Sequence, residues 1–172
     1  MEPDLNQKTG KWMNYAAWII AFFLLTYWFE GYLNKKENPN QNPSSHYTGQ
    51  GAIEVELTRN RQGHYVTNGR INSRIVTFLL DTGATHVSIP EHIAQGLGLR
   101  YGESFPVGTA NGTVTVYSTN IERLEIGDIT LTNVRANINP HMQQDSILLG
   151  MSALKRIEFS QRGNILTLRQ YN

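Results

Sequence analysis

The sequence predicts an all-β barrel or sandwich carried behind a single membrane-spanning helix. Two observations point there. From Gly49 onward, short runs of β-prone residues recur about every ten residues with turn chemistry between them, the pattern of a small all-β domain. Ahead of them, residues 12–29 (WMNYAAWIIAFFLLTYWF) carry no ionised side chain. As a helix they would span about 27 Å, close to the roughly 30 Å of a bilayer core. Composition then sets limits. The 172 residues suffice for one domain and an appendage. Charged residues are 17% and the net charge is +1, with no stripe of Lys and Arg, which argues against a nucleic-acid binder. With no cysteine, thiol catalysis, disulfides and Cys-ligated zinc are excluded.

Taken in order, residues 1–11 form a short N-terminal arm. Residues 12–29 follow as the transmembrane helix, with Trp12, Tyr15, Tyr27 and Trp28 near its ends, where amphipathic rings favour the interface. A cleaved signal peptide is the competing reading, but it requires a small-x-small site, and this run continues into bulky, aromatic TYWFEGYLNKK. Lys8 and Lys11 before the span nearly balance Lys35 and Lys36 after it; the short arm favours an N-in anchor. Residues 30–48 are polar and aperiodic, with two prolines, and read as a linker.

Residues 49–172 form the soluble domain. AIEVEL alternates Ile53, Val55 and Leu57 with glutamates, predicting a half-buried strand. HYVTNGRINSRIVTFLLD predicts two strands with a turn near Asn72-Ser73, and RIVTFLL, apolar almost throughout, predicts a central strand covered on both faces. VSI is a short strand. PEHIAQGLGL opens on Pro and closes on Gly, as short helices do. Asn111-Gly112, Gly127-Asp128 and the glycine of SQRGN each mark a hairpin. SILLGMSALK passes from an apolar run through Gly150 into a turn or two of helix.

Asp81 ends the greasiest strand of this domain, with Thr82 and Gly83 behind it. A carboxylate at the exit of a buried strand is held rigidly. Gly83 permits a tight turn and close approach, and Thr82 supplies a small hydrogen-bonding group. Hydrolysis by carboxylates takes two of them: one accepts a proton from water while the other donates. The remaining aspartates are Asp4, ahead of the span; Asp128, in a Gly-Asp turn; and Asp145, which lacks a following glycine. None duplicates Asp81, so the second carboxylate must come from a second copy of the chain across a two-fold axis.

The motifs L-L-D-T-G-A-T (79–85), T-A-N-G (109–112) and I-L-L-G-M-S-A-L (147–154) together resemble the retropepsin-like aspartic proteases, in particular a bacterial membrane-anchored group related to the retroviral enzymes. The resemblance runs from about Gly63 to Leu168. It implies a closed or partly open acid-protease barrel with one or two short helices, working as a homodimer without cofactor or metal. It implies Asp81 as the catalytic residue, with Thr82, Gly83 and Ala84 supporting its loop. Thr82 would bond across the two-fold axis. Thr109, Ala110, Asn111 and Gly112 would tip the flap over a peptide or protein substrate, and Leu149 and Gly150 would pack behind the catalytic turn. It also implies an inner-membrane location, and the N-in orientation favoured by the short arm puts the protease domain on the periplasmic side. Ala84 replaces the hydroxyl residue usual in pepsins; without that donor the charged carboxylate is less stabilised, which favours a milder pH optimum. The alternative is a non-catalytic dimeric module that grips extended peptides on the same fold.

Other constellations are weak. The five histidines form no H-E-x-x-H or i,i+4 pair. Ser88 and Ser152 lack a G-x-S-x-G context, and GLGLRYG lacks the strand that a nucleotide loop needs. His86 has no assigned role.

Overall fold

A computed structural model describes residues 5–49, 51–109 and 112–171. The chain divides into two units, residues 1–36 and residues 37–172.

The first unit is helix α1, Leu5–Glu37 at its full extent. It is longer at both ends than the span expected at 12–29, and the expected arm is helical from Leu5. The stretch Lys11–Glu37 is long and apolar enough to cross a membrane, a test that a signal sequence also passes. Trp12, Trp18, Phe22, Leu24 and Trp28 are all exposed along it.

The second unit is mostly β. Its strands are β1 (Ser45–Tyr47), β2 (Ala52–Thr58), β3 (Val66–Ile71), β4 (Arg74–Leu80), β5 (Val87–Pro90), β6 (Ser104–Thr109), β7 (Gly112–Ile126), β8 (Ile129–Asn139), β9 (Ile147–Leu149), β10 (Glu158–Arg162) and β11 (Ile165–Tyr171). Two short helices, α2 (Glu91–Leu97) and α3 (Met151–Leu154), complete it. Alternation sets the strands, and turn residues separate them. Asn72 and Ser73 both take positive φ, the type I′ requirement, between β3 and β4. Gly127 and Gly163 supply positive φ at the β7–β8 and β10–β11 turns. Helix α2 starts after Pro90 and ends on Gly98 in the left-handed conformation, as its sequence predicts.

The seven-stranded sheet runs β3-β4-β9-β5-β8-β7-β6, and β3 also pairs with β7 through Arg70↔Glu125 and Ile71↔Leu124. That last pairing closes six strands into a barrel and leaves β6 as an extension. Closure demands close approach at Gly69. A Cβ there would meet the Phe78 ring at 2.6 Å and lie closer still to the Glu125 carbonyl oxygen. Inside lie Ile71, Phe78, Ile89, Ile121, Leu124, Ile138, Ile147 and Leu149, all fully buried. The second sheet, β1-β2-β11-β10, packs Val55, Leu57 and Leu168 into the same core.

Two expectations are corrected here. Strand β4 does lie inside its sheet, but only one face is covered: Val76 and Phe78 are buried whereas Ile75 is 72% exposed. An apolar run specifies burial only on the face that meets the core. The expected linker, 30–48, is folded instead: residues 30–37 continue α1, and residues 38–47 are tied onto the β unit. Asn40 is buried; its Nδ2 donates to the carbonyls of Thr58 (2.9 Å) and Val66 (2.7 Å), and its Oδ1 accepts from Thr58 N–H (2.7 Å). Asn38 Oδ1 accepts from Asn40 N–H, and Asn38 Nδ2 donates to Asn68 Oδ1. Asparagine amides imitate strand backbone here, satisfying the ends of β2 and the start of β3. Asn40→Ala leaves three part-buried backbone groups, the Thr58 N–H and the Thr58 and Val66 carbonyls, without their partner and is expected to lower stability by roughly 2 kcal/mol; denaturant unfolding of the full chain in detergent micelles measures it, and a loss near zero refutes the clasp.

Candidate active site

Strand β9 lies between β4 and β5, parallel to β4 (Phe78↔Ile147, Leu80↔Leu149) and antiparallel to β5 at Ser88↔Leu148. The chain therefore leaves β4 at Leu80, arches over the end of β9 as residues 81–86, and returns on the far side as β5. Asp81 stands at the start of that arch. Its N–H donates to the Leu149 carbonyl (3.2 Å), its carbonyl accepts from Ala84 N–H (3.2 Å), and its Oδ1 accepts from Gly83 N–H (2.8 Å). The carboxylate is half-buried, while Thr82 and Gly83 are exposed. Asp81 is thus oriented by its own loop, with its second oxygen left for other partners.

The arch is fastened from beneath by the start of α3. Met151 N–H donates to Ala84 O (2.8 Å) and Ser152 N–H to Thr85 O (2.9 Å). Ser152 Oγ donates to the Arg135 carbonyl (2.7 Å) and accepts from Val87 N–H (2.9 Å). Gly150 makes this crossing possible: a Cβ there would lie 2.6 Å from Ala84 O and closer to His86 O. Leu149 and Gly150 therefore sit directly behind the Asp81 turn. Since neither side of the crossing is a flexible side chain, Gly150→Ala is expected to destabilise by roughly 3 kcal/mol and to remove any activity that needs the Asp81 loop. Chemical denaturation checks it; a variant as stable as the parent refutes the close crossing.

A cavity of about 300 Å³ opens beside the carboxylate, lined by Tyr65, Leu80, Asp81, Thr82, Phe159 and Leu166 among others. The sequence pattern did not single out Tyr65, yet its hydroxyl is buried without a hydrogen-bond partner among the described residues. Ser152 was weighed only as a serine nucleophile, and its anchoring role was missed; a serine one residue into a short helix carries no sequence signal for it. The hairpin β6–β7 rises nearby in the fold, and its last described pair is Thr109↔Gly112, with Thr109 Oγ1 donating to Gly112 O (2.7 Å). Of the expected flap tip, Thr109 to Gly112, Ala110 and Asn111 lie outside the described residues. His86 finds a place: its ring meets Phe105 of β6 edge-on at 6.4 Å, joining the arch to the hairpin.

The other aspartates are held elsewhere. Asp128 Oδ2 accepts from Tyr47 O–H in the β7–β8 turn, a contact that raises the tyrosine's pKa above its ordinary value. Asp145 lies 3.2 Å from His92 and is almost fully exposed. Among the described residues, no group of acidic and histidine side chains is arranged to hold a metal ion.

The sequence profile of the gag-polyprotein putative aspartyl protease family matches residues 67–156. An uncharacterised protein of Sinorhizobium sp., encoded in the region 5′ of cobV, is 32% identical over 124 residues, covering 70% of this chain and 53% of that protein. An uncharacterised protein of Rickettsia prowazekii (strain Madrid E) is 29% identical over 110 residues, covering 61% and 46%. The chain thus spans about half the length of the curated relatives it matches. The crystal structure of a retropepsin-like aspartic protease from Rickettsia conorii superimposes with a TM-score of 0.58 at 27% identity, covering 74% of this chain and 94% of that one. The matched profile covers more than half of the sequence and contains both the Asp81 arch and the Gly150 crossing beneath it: the chain belongs to the gag-polyprotein putative aspartyl protease family and has the retropepsin-like fold.

Proposed function

We propose that this chain is one half of a membrane-anchored, homodimeric aspartic endopeptidase, with Asp81 as its catalytic residue. The observation that carries this reading is the isolation of Asp81. It is rigidly presented beside a cavity, with one carboxylate oxygen uncommitted, and neither other described aspartate is near it in the fold. A second copy supplies the second carboxylate. Two carboxyl groups about 3 Å apart do not both ionise, and aspartic proteases are the type case of such a pair sharing one proton. The ionised member takes a proton from water as the water oxygen attacks the peptide carbonyl carbon. The protonated member donates to the carbonyl oxygen, giving a tetrahedral gem-diol. Proton return to the amide nitrogen then lets the C–N bond break.

Thr82, exposed next to Asp81, bonds across the two-fold axis in this reading. The β6–β7 hairpin through Thr109, Ala110, Asn111 and Gly112 acts as the flap, with His86 and Phe105 stiffening its base. Helix α1 anchors the chain in the bilayer, and residues 49–172 form the body of the protease domain. Confinement to one plane raises the effective concentration of protomers and favours pairing, and it directs cleavage to peptide segments close to the membrane.

Asp81→Asn keeps the shape and the Gly83 contact but removes the proton chemistry. It is expected to reduce peptide cleavage at least about a thousandfold with unchanged folding; cellular function surviving this change would favour a peptide-binding module instead. The cysteine-free chain also permits a topology test. With an N-in anchor, a cysteine at exposed Gln62 is labelled by a membrane-impermeant maleimide in intact cells; labelling only after lysis would place the protease unit on the cytoplasmic side.

A further inference from the structure

We propose that the two protomers join through the free edge of β10, in antiparallel register about Ser160, so that Glu158 of each chain faces Arg162 of the other. This rests on the homodimeric reading above and names its interface. Strand β10 ends the sheet β1-β2-β11-β10; it pairs only with β11, and all five of its residues are exposed. Natural edges are usually blunted by proline, a bulge, a covering element or charge. Among the described residues β10 has no proline, bulge or covering element, and its two charges, Glu158 and Arg162, are of opposite sign, so a second copy can pair with them.

The register follows from hydrogen-bond alternation. The two-residue turn at Gly163 makes Arg162 and Ile165 a hydrogen-bonded pair. Ser160 and Glu158 therefore also turn their backbone groups toward β11, and Phe159 and Gln161 present theirs on the open edge. A second β10 must pair outward residues with outward residues. Centred on Ser160, the pairing matches Phe159 with Gln161 in both directions, using every outward group of those two residues. It also places Glu158 opposite Arg162 twice, in non-hydrogen-bonded positions where side chains approach most closely. Shifting the centre to residue 159 or 161 sets each charge opposite serine or outside the strand.

Arg162 has no ion pair among the described residues. Glu158 is half exposed at its side chain and touches Arg169 (3.3 Å), which already pairs with Glu54, and accepts from Tyr171 O–H (3.0 Å), so pairing with Arg162 of a second copy shares or replaces these surface contacts. The position is also right for function. Phe159 and Gln161 line the Asp81 cavity, so an axis through the centre of β10 runs on the side of the domain that carries the carboxylate.

The test exploits the absence of cysteine. Ser160 would face itself across the axis with Cα atoms about 4.5 Å apart, within disulfide range. In full-length chain reconstituted into vesicles, Ser160→Cys is expected to form a disulfide-linked dimer on mild oxidation. Adding Glu158→Arg or Arg162→Glu alone, which creates two like-charge pairs, should lower the cross-linked fraction at least about tenfold. Combining both changes in one chain, or mixing the two singly changed chains, should restore it, which also certifies that the variants fold. Absence of a cross-link in Ser160→Cys, or cross-linking indifferent to charge reversal, or failure of the mixture to recover, would overturn the proposal. The assay reads assembly alone, so restored cross-linking in a chain that cleaves no peptide would uphold the interface and refute only the enzymatic reading.

Discussion

Gly150 passes so close beneath the carbonyls of Ala84 and His86 that no side chain fits between them, and the site is built around that crossing. The chain after β4 holds itself only through the short turn at Asp81: six residues arch from Leu80 to Val87 over the end of another strand. What fixes the arch is backbone hydrogen bonding from Leu149, Met151 and Ser152, brought within range only because residue 150 lacks a Cβ. Asp81 inherits its position from this clamp. A carboxylate on a loose loop would sample solvent; here it is oriented by Gly83 N–H at one oxygen and by Leu149 at its backbone.

The same economy of space governs the barrel. Closure of β3 against β7 needs Gly69, just as the arch needs Gly150, and both glycines serve backbone proximity more than flexibility. The closed barrel gives β4 and β9 a rigid wall from which the arch projects, while the smaller sheet brings Phe159 and Leu166 to the cavity beside it. On the proposed reading, one rigid half-site per chain, with a single carboxylate, is completed by symmetry and not by further residues of the same chain.

Much of this was legible in the sequence, for identifiable reasons. The hairpins at Asn72-Ser73, Gly127 and Gly163 follow from local turn chemistry, and the short helix from Pro90 to Gly98 from its caps. Asp81 stood out because a charge ends an apolar run. What was illegible is mostly non-local. The apolar triplet Ile147–Leu149 does not say that it will insert between β4 and β5. The run RIVTFLL does not say which face will meet the core, so the exposure of Ile75 went unforeseen. Residues 38–47 look like a linker because asparagine, proline and serine dominate them. Only the fold reveals that Asn38 and Asn40 spend their amides on the backbone of β2 and β3.

The central claim is that two Asp81 carboxylates, one from each chain, make one catalytic centre. Co-reconstituting parent and Asp81→Asn chains at fixed total protein tests it directly, with cleavage followed as the parent fraction is varied. If both carboxylates are required, activity falls as the square of the parent fraction, because only parent–parent pairs cleave. A linear fall, each parent chain working whatever its neighbour, would contradict the account.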